Sequence, residues 1–180
     1  MALANPDVSF EMRMNGRLTV SSPSSKDVLP RLGAFLGKSV LEHSIPVAYE
    51  DECFRIHGHV SKPGLFRGNR RDQRFFVNGR PIKTDVAYFA IREAYGSMLM
   101  KGCHPVVLLY IDLDPRDVDI NVHPAKHEAR FKNERLLGSA IRAAITKALR
   151  EKVSLPPPAV SAERLSIQAL MQGAEVRYQD

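Results

Sequence analysis

The spacing of apolar residues near the N-terminus predicts a β-hairpin. Phe10, Met12 and Met14 alternate with polar residues, which is typical of a strand with one buried face. The dipeptide Asn15-Gly16 follows directly, and this pair favours the two-residue turn that needs positive φ at both positions. We therefore expect the chain to open with two antiparallel strands.

The remaining apolar pattern predicts strands and helices in a mixed order. The predicted elements are a helix over residues 26–37, strands over 45–49, 53–60 and 74–77, a second Asn-Gly turn at Asn78-Gly79, a helix capped by Thr84 or Asp85 and closed by Lys101-Gly102, an apolar strand over 105–111, strands over 118–123 and up to Phe131, and a helix from Asn133. This order is typical of an α/β fold of the α+β sandwich type, with a mixed sheet and helices on one face. Three prolines at 156–158 end the last helix, so residues 1–151 are predicted to form the domain and 152–180 the start of a flexible linker.

The composition fits a single soluble domain. Of the 180 residues, 44% are hydrophobic and 26% are charged, and no stretch approaches the roughly 20 consecutive apolar residues of a membrane span. We expect a cytoplasmic location, because the N-terminus has no signal-peptide pattern. Cys53 and Cys103 lie beside apolar residues and outside any C-x-x-C pair, which predicts buried free thiols and neither a disulfide nor a zinc site.

Positive charge is concentrated in one segment. The chain carries a formal charge of +6, and residues 61–80 hold six basic residues against the single acid Asp72, a local excess of five. Such a concentration favours a polyanionic partner through attraction to phosphate, although a solvated basic loop would look the same in sequence.

The segment 117–126 contains the residues with most chemical potential. Strand alternation places Asp119, Asn121 and His123 on one face, and Pro124 should end the strand because proline cannot continue a hydrogen-bonded ladder. Lys126 then projects from a turn. From the pattern alone it is either an ordinary solvated lysine or a cation delivered to an anionic ligand.

Two other site types are disfavoured by spacing. The tripeptide Gly37-Lys38-Ser39 resembles the end of a phosphate-binding P-loop, but Leu32 occupies the position of the first glycine. Asp119 with His123 and His127 could suggest a metal site, but His127 lies beyond Pro124 and a continuous ligand face is not assured, so we expect no metal.

Three segments together resemble the MutL family of DNA mismatch repair proteins. Residues 76–80 (FVNGR), 90–95 (AIREAY) and 118–131 (VDINVHPAKHEARF) have the family's order and spacing, and the similarity extends over residues 3–150. The resemblance implies the transducer domain of a GHKL ATPase, a ribosomal-protein-S5-domain-2-like fold that is also present in DNA gyrase B. It also implies that the chain is a fragment whose ATP-binding domain lies upstream.

The resemblance assigns expected roles to individual residues. Lys126 matches the lysine that contacts the γ-phosphate of ATP, and Asp119, Asn121, His123 and Pro124 would position its loop. In the FVNGR segment Arg80 matches a DNA-contacting arginine. The expected DNA surface then comprises Arg70, Arg71, Arg74 and Arg80.

The same resemblance implies cofactors and partners for the whole protein. ATP and Mg²⁺ would bind to the full-length protein and neither to this fragment alone, which would not be an enzyme by itself. Expected partners are the upstream ATPase domain, DNA, MutS and other mismatch repair proteins, and a second copy through regions outside this chain; no membrane is expected. Whether the parent is an endonuclease stays open.

Three alternatives share part of this evidence. They are a type II topoisomerase transducer, a stand-alone nucleic-acid-binding module, and a metal-dependent phosphodiesterase built on Asp119 and His123.

Overall fold

The computed structural model describes residues 2–5, 7–25, 28–119 and 129–153. Its strands are β1 (Phe10–Met14), β2 (Arg17–Ser22), β3 (Ser44–Glu50), β4 (Phe54–Ser61), β5 (Phe66–Arg67), β6 (Gln73–Val77), β7 (Arg80–Ile82), β8 (His104–Pro105), β9 (Val107–Leu113), β10 (Val118–Asp119) and β11 (Arg130–Phe131). Its α-helices are α1 (Leu29–Leu36), α2 (Lys38–Glu42), α3 (Asp85–Tyr95) and α4 (Glu134–Val153). Within these ranges, no helix has both the length and the apolar character of a bilayer-spanning segment.

A mixed five-stranded sheet forms the centre of the domain. Its order is β3-β4-β9-β6-β7, with β6 and β9 parallel and every other neighbouring pair antiparallel. The middle strand β9 is buried over most of its length, because side chains on both of its faces are covered. The predicted mixed sheet and α/β class are confirmed.

The two longer helices cover one face of this sheet. Buried residues of α3 and α4 pack on Phe75, Leu109 and their neighbours to form the main core. Helix α4 begins where predicted, and Asn133 caps it by accepting a hydrogen bond from the backbone N–H of Leu136 at 3.1 Å.

The prediction placed helices on one face of the sheet, and the structure adds two shorter helices, α1 and α2, on the opposite face. Phe76 and Leu108 alternate with the main-core residues along β6 and β9, and they pack instead with Leu32 of α1 and Val40 of α2. Helix α2 was not predicted, because five residues are too few to show a helical period.

Both predicted Asn-Gly turns are present. Asn15 and Gly16 have φ values of 50° and 77°, and Asn78 and Gly79 have 47° and 77°. Positive φ at both positions is what the tight turn requires.

Two local predictions need correction. Helix α3 ends at Tyr95, before Lys101-Gly102, because Gly96 has a φ of 50° and leads into a separate 3₁₀ turn, Gly96–Met98. Cys53 is exposed and Cys103 is half-buried, since both thiols lie in connections at the surface; both are free, as expected.

Candidate nucleic-acid interface

The basic segment folds into a 3₁₀ turn, Arg70–Asp72, between β5 and β6. Asn69 holds the start of this turn by accepting a hydrogen bond from the backbone N–H of Arg71 at 3.0 Å. Arg67 points back into the fold, where its Nε donates to Asp72 at 2.9 Å. One cation of the segment is therefore used internally, and the arginines that follow remain at the surface.

Three of the four arginines expected to bind DNA line one open groove of about 790 Å³. Arg70, Arg71 and Arg74 contribute to it together with Lys83, and apolar residues complete its walls, among them Phe35, Leu36, Phe76 and Pro81. We call it the arginine groove. The described residues that line it include no carboxylate, so a ligand there would meet an uncompensated positive surface.

An aromatic pair fixes the position of Arg70. Its guanidinium carbon lies 4.7 Å from the centre of the Tyr88 ring, and Tyr88 packs edge-on against Phe75 with ring centres 5.3 Å apart. Burial raises the pKa of the Tyr88 hydroxyl, and the charge of Arg70 opposes that rise. Arg70 is thus held at the groove by its contact with the face of the Tyr88 ring.

The structure places Arg80 apart from this groove. Arg80 pairs with Val77 at the turn of the β6–β7 hairpin, whereas Arg74 lies three residues earlier on β6, about 10 Å along the strand. Directly paired residues share a face, so Arg80 is on the α3 side with Val77, and Arg74 is on the α1 side with Phe76. DNA that touched both would have to pass along the β7 edge of the sheet.

The turn that carries Arg80 is clamped to the end of β9. The side-chain amide of Asn78 donates to the carbonyl of Leu113 at 3.0 Å and accepts from the N–H of Leu113 at 3.1 Å. Two segments of the family-like motif, 76–80 and 118–131, are joined through this clamp, because β9 leads directly into the second.

The second segment begins on a short, ordered ladder. Asp114 accepts hydrogen bonds from the backbone and side chain of Arg116, and these contacts hold the pKa of its carboxyl at about 2. Beyond this turn Asp119, which is exposed, pairs with Arg130 across β10 and β11. Asn121, His123, Pro124 and Lys126 lie outside the described residues.

Among the described residues, no group of three or more potential ligands is arranged to hold a metal ion. His123 and His127, the proposed partners of Asp119 in the alternative metal site, lie outside those residues.

Residues 32–150 match the family model described as "DNA mismatch repair protein, C-terminal domain". The chain belongs to the MutL family of DNA mismatch repair proteins. This match covers the sheet, all of α3 and most of α4.

Several MutL proteins are similar over most of the chain. That of Symbiobacterium thermophilum is 36% identical over 91% of the chain, and that of Desulforudis audaxviator is 34% identical over 97%. That of Bradyrhizobium sp. (strain ORS 278) is 41% identical over 84%. The chain spans between a quarter and a third of the length of these relatives.

Solved structures agree on the fold. The N-terminal domain of a DNA repair protein has a TM-score of 0.68 at 20% identity, covering 86% of the chain and 52% of that protein. A mutant MutL ATPase domain from Aquifex aeolicus has a TM-score of 0.51 at 24% identity, covering 80% and 47%. This MutL-family chain therefore has the fold found in those N-terminal regions.

Sequence reasoning missed some residues that the structure brings to this surface. Lys83 and Tyr88 line the arginine groove, and Asn78 is a clamp as well as a turn former. A signal existed for Tyr88, since it stands on α3 beside the apolar stripe. No local pattern could have placed Lys83 beside Arg74.

Proposed function

We propose that this chain is the transducer domain of a MutL-type mismatch repair protein. In the full-length protein it supplies Lys126 to the γ-phosphate of ATP bound in an adjoining GHKL domain. It couples the nucleotide state to dimerisation, DNA binding and recruitment of MutS and other repair proteins. ATP and Mg²⁺ are cofactors of that full-length protein, and this chain contributes to their site without hydrolysing ATP alone.

Two observations support this proposal: the match to the MutL family, and the paired strands β10 and β11 that hold the two ends of the segment containing Lys126. Asp119 and Arg130 are paired on adjacent antiparallel strands, and Asp114 with its low carboxyl pKa fixes the turn before them. The described chain thus enters and leaves segment 120–128 at two neighbouring points. A lysine carried between such fixed points can be presented to a ligand outside the domain.

The chemistry asked of Lys126 is electrostatic. Phosphoryl transfer gains mainly from positioning and from neutralising charge on the phosphate oxygens, and one ammonium group can provide both. We assign orienting roles to Asp119, Asn121, His123 and Pro124 and no proton transfer.

The test is ATP turnover by the full-length parent with Lys126→Ala under saturating ATP. We expect turnover to fall about tenfold or more, equivalent to roughly 1.4 kcal/mol of transition-state stabilisation. The matched control is Lys147→Ala, because this lysine is exposed on α4 and is not part of the turn and ladder that flank segment 120–128. Wild-type turnover in a folded Lys126→Ala protein would refute the assignment and favour a stand-alone nucleic-acid-binding module.

We propose DNA as the ligand of the arginine groove and of Arg80. The support is the clustering of Arg70, Arg71 and Arg74 with Lys83 and no lining carboxylate. Such a surface gains affinity for any duplex by releasing counterions, and it reads no sequence by itself.

DNA binding is tested with Arg74→Glu combined with Arg80→Glu in the 180-residue chain. We expect weaker binding and a flatter dependence of affinity on salt, because two phosphate contacts are removed. Arg135→Glu with Arg150→Glu on the exposed side of α4 makes the same charge change elsewhere. If both double variants lose affinity equally, the effect is one of net charge and the groove is not the site.

The same assay addresses the phosphodiesterase alternative. Metal-dependent cleavage of the duplex by the purified chain, abolished by Asp119→Ala, would overturn the transducer proposal.

A further inference from the structure

A second pocket adjoins the arginine groove and shares its wall. Arg70, Gln73 and Tyr88 line both spaces, so the two are neighbours across the Arg70–Tyr88 contact. The second pocket has a volume of about 380 Å³ and lies between the end of α3 and β8. We call it the histidine pocket.

The histidine pocket brings together three permanently cationic side chains and one histidine, from four separate elements. Arg70 comes from the 3₁₀ turn, Arg92 from the last turn of α3, Lys101 from the following loop and His104 from β8. Within the described ranges, none of the three permanent cations forms an ion pair with a carboxylate, and no acidic residue lines the pocket. Like charges gathered in one pocket repel each other, so an anion placed among them would relieve that repulsion.

The chemistry of these groups favours phosphate as the anion. Arginine presents a planar fork that matches phosphate oxygens, and lysine adds a point charge. A single carboxylate would satisfy one arginine and leave the remaining charge uncompensated. The adjoining groove carries further cations, and a continuous row of cations suits a polymer of phosphates better than one small anion.

We propose that the histidine pocket holds a backbone phosphate of the DNA that occupies the arginine groove, with Arg92 and Lys101 as its main contacts and His104 as a contact that forms when protonated. The proposal rests on the proposed DNA-binding function. It extends the DNA path from the α1 side of the domain across Arg70 to the end of α3.

His104 gives this contact a dependence on pH. Burial lowers the pKa of its imidazole, and the charges of Arg70 and Arg92 lower it further. Arg67, which lies opposite His104 in the β5–β8 pair, already forms an ion pair with Asp72. The charges that lower the His104 pKa are therefore those of Arg70 and Arg92. A bound phosphate would offset their charge and raise the pKa, so DNA affinity should increase as the pH falls from 7.5 to 6.

The first experiment measures binding of a fluorescent duplex of about 20 base pairs to the 180-residue chain over a range of salt concentrations. Lys101→Ala should weaken binding about three- to tenfold and reduce the salt slope by about one. Lys147→Ala, an exposed lysine on α4, is the matched control and should leave both quantities unchanged. Arg92→Gln is the second variant; because Arg92 also lies at the helix C-terminus, its thermal unfolding is measured in parallel.

Comparing the pocket variants with the groove variants distinguishes failure of this inference from failure of the proposed DNA groove. If Lys101→Ala and Arg92→Gln bind like wild type while the Arg74→Glu, Arg80→Glu double variant does not, the inference is overturned and the DNA groove stands. If only the two pocket variants lose affinity, the duplex does not occupy the arginine groove, and both the proposed groove and the inference built on it are overturned.

A second experiment identifies the source of the phosphate. The pKa of His104 is followed by NMR in the free chain, with the duplex, and with inorganic phosphate, using His104→Gln to assign its signal. A rise with the duplex, absent from Lys101→Ala, supports the proposal. A rise with millimolar inorganic phosphate that the duplex neither reproduces nor displaces would overturn it and make the pocket a free-phosphate site.

Discussion

One buried arginine organises the N-terminal part of the domain. Arg31 is 3% exposed, and its guanidinium donates to the carbonyls of Ala2 at 2.6 Å, Asn5 at 2.7 Å and Val8 at 2.6 Å. It also donates to the hydroxyl of Ser22 at 2.8 Å. A buried cation is tolerated here because its donors are satisfied by carbonyl dipoles from several chain segments. The side chain therefore ties the N-terminal residues and the β1–β2 hairpin to α1.

Replacing Arg31 by lysine tests this role at the scale of one residue. Lysine keeps the charge but has three donors at a single point, so several carbonyls would lose their partner. We expect a loss of about 2–4 kcal/mol in the free energy of unfolding, measured by urea titration. Arg135→Lys, an exposed position at the start of α4, should change it by less than about 0.5 kcal/mol. Equal stabilities of the two variants would show that the carbonyl network is not stabilising.

At the scale of elements, the connection from β9 to β10 is held by one charged turn. Asp114 caps the 3₁₀ turn Pro115–Asp117 through the backbone N–H of Arg116 at 2.9 Å, and it binds the Arg116 guanidinium at 2.6 Å. Lys132, beyond β11, closes the other side by donating its backbone N–H to the carbonyl of Asp117 at 2.9 Å. The short ladder that flanks segment 120–128 thus depends on local hydrogen bonds, since its strands have two residues each.

The turn should therefore be sensitive to acid. The folded pKa of Asp114, about 2, lies below its usual value of 3.8, so its contribution to stability is present above pH 3.8 and is lost as the pH falls towards 2. We expect Asp114→Asn to lower the unfolding temperature at pH 5, and the difference from wild type to shrink as the pH falls. Circular dichroism over that range provides the measurement, with Asp112→Asn on β9 as the control. A difference that is independent of pH would show that the charge of Asp114 does not stabilise the turn.

At the scale of the whole molecule, the sheet separates two cores of unequal size. Of the described residues, 24 form the main core under α3 and α4, and 7 form the smaller core under α1 and α2. Regions with less buried apolar area open at lower free energy. Arg74 therefore lies on the face of the sheet that is covered by the smaller, less stable core. The strands that flank segment 120–128 pack instead on the larger core, through Phe131.

Hydrogen exchange should resolve these two sides. We expect the backbone amides of α1, such as Leu32, to exchange faster than those of the central strands, such as Ile56 and Leu109. The reason is that the α1 side can open without exposing the main core. Uniform protection of all three amides at the level of global unfolding would mean that the domain has one cooperative core.

The sequence by itself determined the features that depend on near neighbours. Asn-Gly pairs fixed two turns because few other residues adopt positive φ, and strand and helix periods located most elements because side chains alternate or repeat every 3.6 residues. The segments 76–80, 90–95 and 118–131 could also be recognised from the sequence, since each is one uninterrupted stretch of the chain.

Only the tertiary structure decided which distant residues meet. Gly58 stands in a strand where a Cβ atom would lie 2.0 Å from the carbonyl oxygen of Leu108, a conflict that exists only once β4 pairs with β9. Arg31 is a polar residue next to the apolar residues of α1, and only the tertiary structure surrounds its guanidinium with the carbonyls of another segment. Arg92 and His104 line one pocket because helix and strand packing brings them together, and local sequence encodes the period of an element but not its partners.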